Sequence, residues 1–245
     1  MKKTNGARPP TLAEARRALM AAANPADAAF LQRFFKTGPG DYGEGDRFLG
    51  LRVPTTRRLA RRFRDLPLSA TRSLLQSPWH EARLLALLLL VERYRRGNPA
   101  EREAVHRLYL ANTHRVNNWD LVDLSAEHLV GAHLNPADLS LLARLARSDS
   151  LWERRIAMLA TFYWIKRGEF RPAFHVANLL RNDPHDLIHK AVGWMLREIG
   201  KRDRAREEIF LRRYGRTLPR TLLRYAIEHF PEPLRKKYLH GEVCA

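Results

Sequence analysis

The sequence predicts an all-α protein built as a helical repeat, and three observations carry that prediction. Asn24-Pro25, Ser77-Pro78, Asn98-Pro99, Asn135-Pro136 and Asp183-Pro184 each set a capping side chain before a proline, the pattern of an N-cap followed by Pro in the first helical turn. Gly97, Gly131, Gly168 and Gly200 close the segments that follow. No stretch alternates apolar and polar residues at period two as a strand would.

Taken in order, helices are expected over 11–22, 25–36, 54–65, 68–76, 78–96, 99–112, 119–130, 136–147, 150–167, 170–181, 184–200, 203–214 and 219–230. The 25–36 helix starts behind Asn24-Pro25. The 54–65 helix carries a buried stripe of Leu59, Ala60, Phe63 and Leu66, with Arg57, Arg58, Arg61, Arg62 and Arg64 around it. The 78–96 helix contains the apolar run Leu84–Val91, eight residues long and far short of a membrane span. The 119–130 helix is capped by Asn118 or Asn117 and has the stripe Val122, Ala126 and Leu129. At about 100° per residue, Ile188, Val192, Met195 and Ile199 form one stripe of the 184–200 helix, and Lys190, Trp194, Arg197 and Lys201 fall opposite.

Ser77–Gly97, Ser150–Gly168 and Asp186–Lys201 align with one another, bringing Arg83, Arg155 and Lys190 into register, 72 and 35 residues apart. Halving the first step gives a unit of roughly 35–40 residues, the length of HEAT-like helical pairs. Trp119 falls where the middle copy belongs. The fold class is therefore a HEAT-like helical-repeat solenoid, whose concave face suits a stiff, extended partner such as a duplex. One domain over 1–245 is expected, with tails at 1–10 and 235–245.

Composition narrows the partners. The 245 residues carry 44 Lys+Arg against 26 Asp+Glu, a net charge of +18, with 45% hydrophobic residues. That is enough apolar material for a core, and a charge that favours polyanions, nucleic acid ahead of an anionic membrane. Thirty-six of the basic residues are Arg, a bias that a GC-rich genome also produces. The single cysteine, Cys244, excludes a disulfide framework and a Cys-based zinc site. The basic, polar start Met1–Pro10 has no apolar core of a secretory signal, and a reducing cytoplasm is the expected location.

Two motif matches dissolve on inspection. Gly38-Pro39-Gly40-Asp41-Tyr42-Gly43 fits a dinucleotide fingerprint, but a helix precedes it, and Asp41, Glu44 and Asp46 would repel a pyrophosphate; it reads as a loop. His185 and His189 are four apart as in a zincin helix, yet the general-base Glu is absent and Asp186 stands in its place; solvated or capping histidines are expected. The basic stretches Arg52–Arg64 and Lys201–Arg220 are either solvated faces or partly phosphate ligands.

Trp194 and Trp119 each admit two readings. Trp194 lies in a row of cations, either packed on the next helix or presented to nucleic acid. Trp119 and Asp123 share a face at i, i+4. Trp119 sits near the apolar stripe, so a core Trp competes with a functional one. Asp120 is explained by the helix dipole and capping. Asp123, at the stripe's edge between Val122 and Leu124, is harder to explain structurally.

Phe48-Leu49-Gly50-Leu51-Arg52-Val53-Pro54, Trp119-Asp120-Leu121-Val122-Asp123, Trp152-Glu153-Arg154-Arg155-Ile156-Ala157 and Lys190-Ala191-Val192-Gly193-Trp194-Met195-Leu196-Arg197-Glu198 resemble segments of the DNA alkylation repair family, the AlkD-like HEAT-repeat alkylpurine DNA glycosylases. The resemblance runs from about Phe34 to about Phe230. It implies that Asp123 is the catalytic carboxylate and that Trp119 and Trp194 line the lesion site. It makes Arg155 and Arg197 DNA-backbone ligands, to which the neighbouring Lys190 and Lys201 add charge, and it puts Phe34 in the place of an aromatic. Asn118 stands where many relatives carry a second Trp, and the Thr37–Arg47 loop is longer than in some.

The implied reaction suits these residue types. An N3- or N7-alkylpurine is cationic and leaves as a neutral heterocycle, so one carboxylate suffices where ordinary glycosidases need two. Double-stranded DNA with alkylated bases is the implied partner. No metal, small-molecule cofactor or membrane is expected, and a monomer is. The alternatives are a non-catalytic HEAT-like module for damaged or branched DNA, and a protein-binding solenoid with incidental charge.

Overall fold

The computed structural model describes residues 8–243, so Cys244 and most of the expected N-terminal tail lie outside it. The described residues form an all-α helical-repeat fold, with one isolated β-bridge, Arg47 to Trp79. Contacts divide the chain into two compact units, one through Ser125 and one from Ala126, where the sequence suggests a single domain. A helical-repeat chain makes its contacts chiefly between sequence neighbours, so it divides more readily than a domain built on one core.

The first unit comprises α1 (Leu12–Ala21), α2 (Pro25–Phe34), α3 (Val53–Arg62), α4 (Leu68–Leu75), α5 (His80–Arg96), α6 (Pro99–Leu110) and α7 (Trp119–Ala126), with a 3₁₀ turn at Thr113–Arg115. Its centre is α5, which packs on α3, α4 and α6. The apolar run seen in the sequence is this unit's core: Leu85, Ala86, Leu87 and Leu90 are fully buried. On α3, Leu59 and Phe63 go inside, as does Leu66 just beyond the helix, while Arg57, Arg58, Arg61, Arg62 and Arg64 stay exposed.

The second unit comprises α8 (Ser140–Ala146), α9 (Leu151–Ala160), α10 (Phe162–Ile165), α11 (Arg171–Leu180), α12 (Asp186–Gly200), α13 (Arg204–Tyr214), α14 (Arg220–Ala226) and α15 (Glu232–His240). Here α12 is central and packs on α9, α11, α13 and α14. Its stripe Ile188, Val192, Met195 and Ile199 is fully buried, as the periodicity requires. Gly193 makes the α12–α14 contact possible: a Cβ there would sit 2.5 Å from both the Leu222 carbonyl oxygen and Tyr225 Cβ.

Several boundaries differ from the sequence reading for identifiable reasons. Asn24 and Asn98 cap α2 and α6 with Pro at the first position, and Asn98 adds a reciprocal capping box with Glu101. The other three Asx/Ser-Pro pairs cap turns instead. Ser77 Oγ accepts from the Trp79 N–H, Asn135 Oδ1 from the Ala137 N–H and Asp183 Oδ1 from the His185 N–H, so α5, α8 and α12 begin two to four residues later than expected. A side chain that bonds its own backbone two residues on closes a turn as readily as it caps a helix. The expected 150–167 helix breaks at buried Thr161, whose hydroxyl donates to the Met158 carbonyl at 2.6 Å. The expected 119–130 helix ends at Ala126 and passes into a π-helical turn, Glu127–Gly131.

The repeat register also shifts by one residue. Trp79, Ser150 and His185 are the N-caps of α5, α9 and α12. Four residues on, Arg83, Arg154 and His189 each bond the carbonyl six residues back, of Ser77, Ser148 and Asp183. The equivalent positions are these three, with Arg155 and Lys190 one residue further on. The expected C-terminal tail at 235–245 is helical as far as His240. Leu234 and Tyr238, one turn apart on α15, turn inward, Tyr238 fully, and Gly241 closes the helix at φ +77°.

Candidate functional site

In the first unit the site is built around the start of α7. The Asn118 carbonyl accepts the first helical bond, from Val122, and its side-chain oxygen accepts from the Trp119 N–H. Trp119 and Asp123 are both partly exposed, one turn apart on the same face, while Leu121, Val122 and Ala126 go fully inside. The N-terminal turn of a helix favours negative charge, which suits Asp120 in the first turn of α7, whereas Asp123 stands one turn beyond Trp119. Asp123 also acts on its surroundings: burial drives the Tyr109 hydroxyl well above the ordinary tyrosine range, and the Asp123 charge adds to that. The same hydroxyl lies 3.1 Å from Ser125 Oγ.

Trp119 is positioned by a column of rings. It stacks on Phe35 at 5.1 Å and 24°, and Phe34 meets it edge-on at 6.0 Å. Phe35 in turn stacks on Phe48 at 5.1 Å, and His80 packs against Phe35 at 5.1 Å and Phe48 at 4.5 Å. His80 is buried and bridges two carboxylates, Nδ1 to Asp46 at 2.8 Å and Nε2 to Asp120 at 2.9 Å. Carboxylates only accept, so both ring nitrogens donate and the ring is an imidazolium. Burial opposes that charge, but Asp120 and Asp46 outweigh it and raise the His80 pKa to about 9. Burial likewise works against the Asp46 anion, and the His80 hydrogen bond with the Arg83 charge holds its pKa below the usual value. Arg83 is itself buried and bonds Asp46 and the Ser77 carbonyl. Two carboxylates thus meet two cations, and the cluster ties the Asp46 loop, α5 and the first turn of α7 together.

The Phe48–Pro54 segment is held by another buried acid. Glu81 accepts from the backbone N–H groups of Leu49, Gly50 and Leu51 at 2.9, 2.8 and 3.1 Å. Gly50 is required there, because its φ is +87° and a Cβ would lie 2.0 Å from the Asn24 carbonyl oxygen. Sequence reasoning missed Glu81, His80 and Asp46, and gave Asp120 only a capping role. Their partners lie 30 to 40 residues away in the chain, beyond any local pattern.

In the second unit Trp194 lies on the outer side of α12, partly exposed, with Phe162 at 5.9 Å. Burial would raise Glu198, but hydrogen bonds from Lys201 and Arg202, with one from the Trp194 indole, hold its carboxyl below the usual range. Lys190 pairs with Asp186 at 2.8 Å, Lys201 with Glu198 at 2.6 Å, and Arg197 with Glu228. Lys190 and Lys201 remain roughly 40% exposed and Arg197 is 16% exposed at the side chain. Arg155 is buried, and its guanidinium donates to the Leu187 carbonyl at 2.6 Å, bracing α9 against the start of α12. His185 caps α12 through Nδ1 and His189 bonds the Asp183 carbonyl, so both histidines of the zincin-like pair serve the helix start. The Gly38–Gly43 match is a turn-rich loop.

No curated protein matches the chain significantly. Its fold is similar to that of a solved structure from Enterococcus faecalis described as a predicted DNA alkylation repair enzyme. That likeness has a TM-score of 0.65 at 19% identity, and covers 86% of this chain and 97% of the other. A family of DNA alkylation repair enzymes matches over residues 15–230, a span that takes in the ring column, α7 and all of α12. By that match the chain belongs to the DNA alkylation repair enzyme family.

Proposed function

We propose that the protein is a monofunctional DNA glycosylase that hydrolyses the N-glycosidic bond of cationic N3- and N7-alkylpurines, 3-methyladenine and 7-methylguanine, in duplex DNA, as the first step of base excision repair. The observation that carries this reading is Asp123: in a family of DNA alkylation repair enzymes, on a chain of charge +18, a carboxylate stands partly exposed one turn from a braced tryptophan. A negative charge on a DNA-facing surface opposes binding, so it needs a chemical purpose.

The bond between C1′ and the purine nitrogen breaks with its electron pair going to the base, which thereby loses its positive charge and departs neutral. The sugar becomes oxocarbenium-like. Asp123 stabilises that cation and orients a water, taking its proton as the oxygen bonds to C1′. Preorganised charge of this kind lowers a barrier by about 3–4 kcal/mol where one such group has been removed in other enzymes. Tryptophan faces at Trp119 and Trp194 favour cationic sugar and base by ~0.5–2 kcal/mol each. In this reading Phe34, Arg197, Lys190 and Lys201 contact DNA, and Arg155 supports the surface from beneath. The protein acts as a cytoplasmic monomer built of HEAT-like repeats, and no cofactor takes part.

The test is a comparison of lesions. Duplexes carrying 7-methylguanine or 3-methyladenine should lose the base in the protein's presence, whereas the neutral lesion hypoxanthine should stay, because selection rests on leaving-group lability. Tight binding to damaged or branched DNA with no base released would instead favour a non-catalytic module.

A further inference from the structure

Helix α2 has no buried residue, yet it carries two phenylalanines. Phe30 is 44% and Phe34 53% exposed, and their rings lie near-parallel, 15° apart with centroids at 6.1 Å. The helix is anchored at its two ends, and the residues of its inner face, Ala28 and Leu31, are only half-buried. At its start the Asn24 N–H donates to the Leu49 carbonyl at 2.8 Å, and Gly50 lies against the Asn24 carbonyl. Just past its end, Phe35 is buried in the ring column. Between these anchors the aromatic face is left open. The guanidinium of Arg52 sits 5.1 Å from the centre of the Phe30 ring, tied down by Asp27. Phe34 meets Trp119, so the open face continues into the candidate site. Arg33, Lys36, Arg47 and Arg52 are all exposed on or beside α2 and the loop that follows it.

Aromatic rings interleaved with unburied cations are how proteins hold unpaired nucleotides: each base has a π-face, and each nucleotide brings a phosphate. The same cations disfavour a second copy of this chain, whose surface is equally basic. We propose that Phe30, with Phe34 and Arg52, forms a stacking platform for an unpaired DNA base next to the reaction site, so that the protein prefers duplexes with a displaced nucleotide over fully paired ones. This rests on the reading of the protein as one that acts on DNA, and adds a ligand, the unstacked base, to which none of the residues assigned above is dedicated.

The test uses the full chain and three labelled DNAs of one sequence: a paired duplex, the same duplex with a two-nucleotide bulge, and the single strand. Binding is read by fluorescence anisotropy for wild type, Phe30→Ala and Phe30→Trp. Wild type should bind the bulge more tightly than the duplex. Phe30→Ala should weaken bulge binding at least about fivefold, the low end for removing one base–aromatic stack, and leave the paired duplex within about twofold. Phe30→Trp should restore the preference. Equal affinities of wild type for bulge and duplex, an equal loss on all three DNAs, or no loss at all overturns the proposal. So does a wild-type dimer in light scattering that Phe30→Ala dissociates while bulge affinity stays the same. A second measurement needs no variant: 5-iodouracil placed in the bulge and irradiated should attach to the peptide containing Phe30 and Phe34, and attachment elsewhere contradicts the platform. Base release from methylated duplex, measured on the same samples, separates the two readings. A wild type that releases the base but shows no bulge preference sinks only the platform, and a wild type that shows the preference but releases no base sinks only the glycosylase.

Discussion

The Asp46–His80–Asp120 cluster predicts a stability that falls in alkaline solution, with a size that follows from the site. His80 is almost fully buried, and its pKa stands near 9 in the folded chain against 6.5 for the ordinary side chain. A pKa raised by folding means that the folded state binds the proton more tightly. The contribution is therefore complete below pH 6.5, declines above it and is gone once the pH has risen through about 9. At about 1.4 kcal/mol per pH unit, the gap amounts to ~3 kcal/mol. Asp46 has the opposite sign: its lowered pKa makes its contribution present above the ordinary carboxylate value and lost as the pH falls through the folded one. Two measurements check this. His80 ring protons, followed by NMR, should titrate near pH 9. The difference in unfolding free energy between wild type and His80→Gln should shrink by ~3 kcal/mol between pH 6 and pH 10. At pH 6 the variant should lose about 3–5 kcal/mol, because buried Asp46 then keeps only Arg83 and part-buried Asp120 loses its imidazolium partner. A His80 titration between pH 6 and 7, or a difference that does not change with pH, would refute the charge assignment and with it the bracing of Trp119.

Other consequences can be checked alongside. Burial, helped by the charge of Glu208, raises the Glu207 pKa to about 8 against Arg204 and Arg197, and its Oε1 has no hydrogen-bond partner among the described residues. Its neutral form therefore stabilises the fold at low pH, and that stability is lost as pH rises through about 8. Glu207→Gln should accordingly raise stability at pH 9 by on the order of 4 kcal/mol and change little at pH 4, as denaturant midpoints at the two values would show. Gly193→Ala should cost about 1–3 kcal/mol of stability by forcing α12 and α14 apart; a melting temperature unchanged by that substitution would contradict the close backbone approach. Glu81→Gln keeps shape but loses charge and one acceptor for the three N–H groups of Leu49–Leu51, so roughly 1–3 kcal/mol should go, with faster amide exchange confined to that loop as the accompanying sign.

What the sequence made legible was whatever depends on local period. The stripe of α12 and the exposed arginines of α3 follow from 3.6-residue spacing alone, and Trp194, Lys190, Arg197 and Lys201 do lie on the outer side of α12. Helix starts were less legible, because Ser77, Asn135 and Asp183 can close a turn with the same hydrogen bond that would cap a helix. The last helix was lost in a basic, proline-containing stretch whose only apolar signal is Leu234 with Tyr238 and Leu239. The bracing of the candidate site was hidden for a different reason. Asp46 looks like one more loop acid and Asp120 like a helix-dipole residue. Only a fold that brings them to one imidazole, 34 and 40 residues away in the chain, gives them their roles. Arg155 shows the reverse: its motif suggests a DNA ligand, and the structure puts its guanidinium on the Leu187 carbonyl.

The measurement that bears most directly on the central claim is single-turnover release of 7-methylguanine from a defined duplex, wild type against Asp123→Asn, at protein concentrations giving equal DNA occupancy. The account predicts base release by the wild type and a loss of about 10²-fold or more in the variant, with DNA affinity unchanged or slightly higher because a negative charge has gone. Release by the variant at the wild-type rate would contradict the role given to Asp123, and no release by either would contradict glycosylase activity itself.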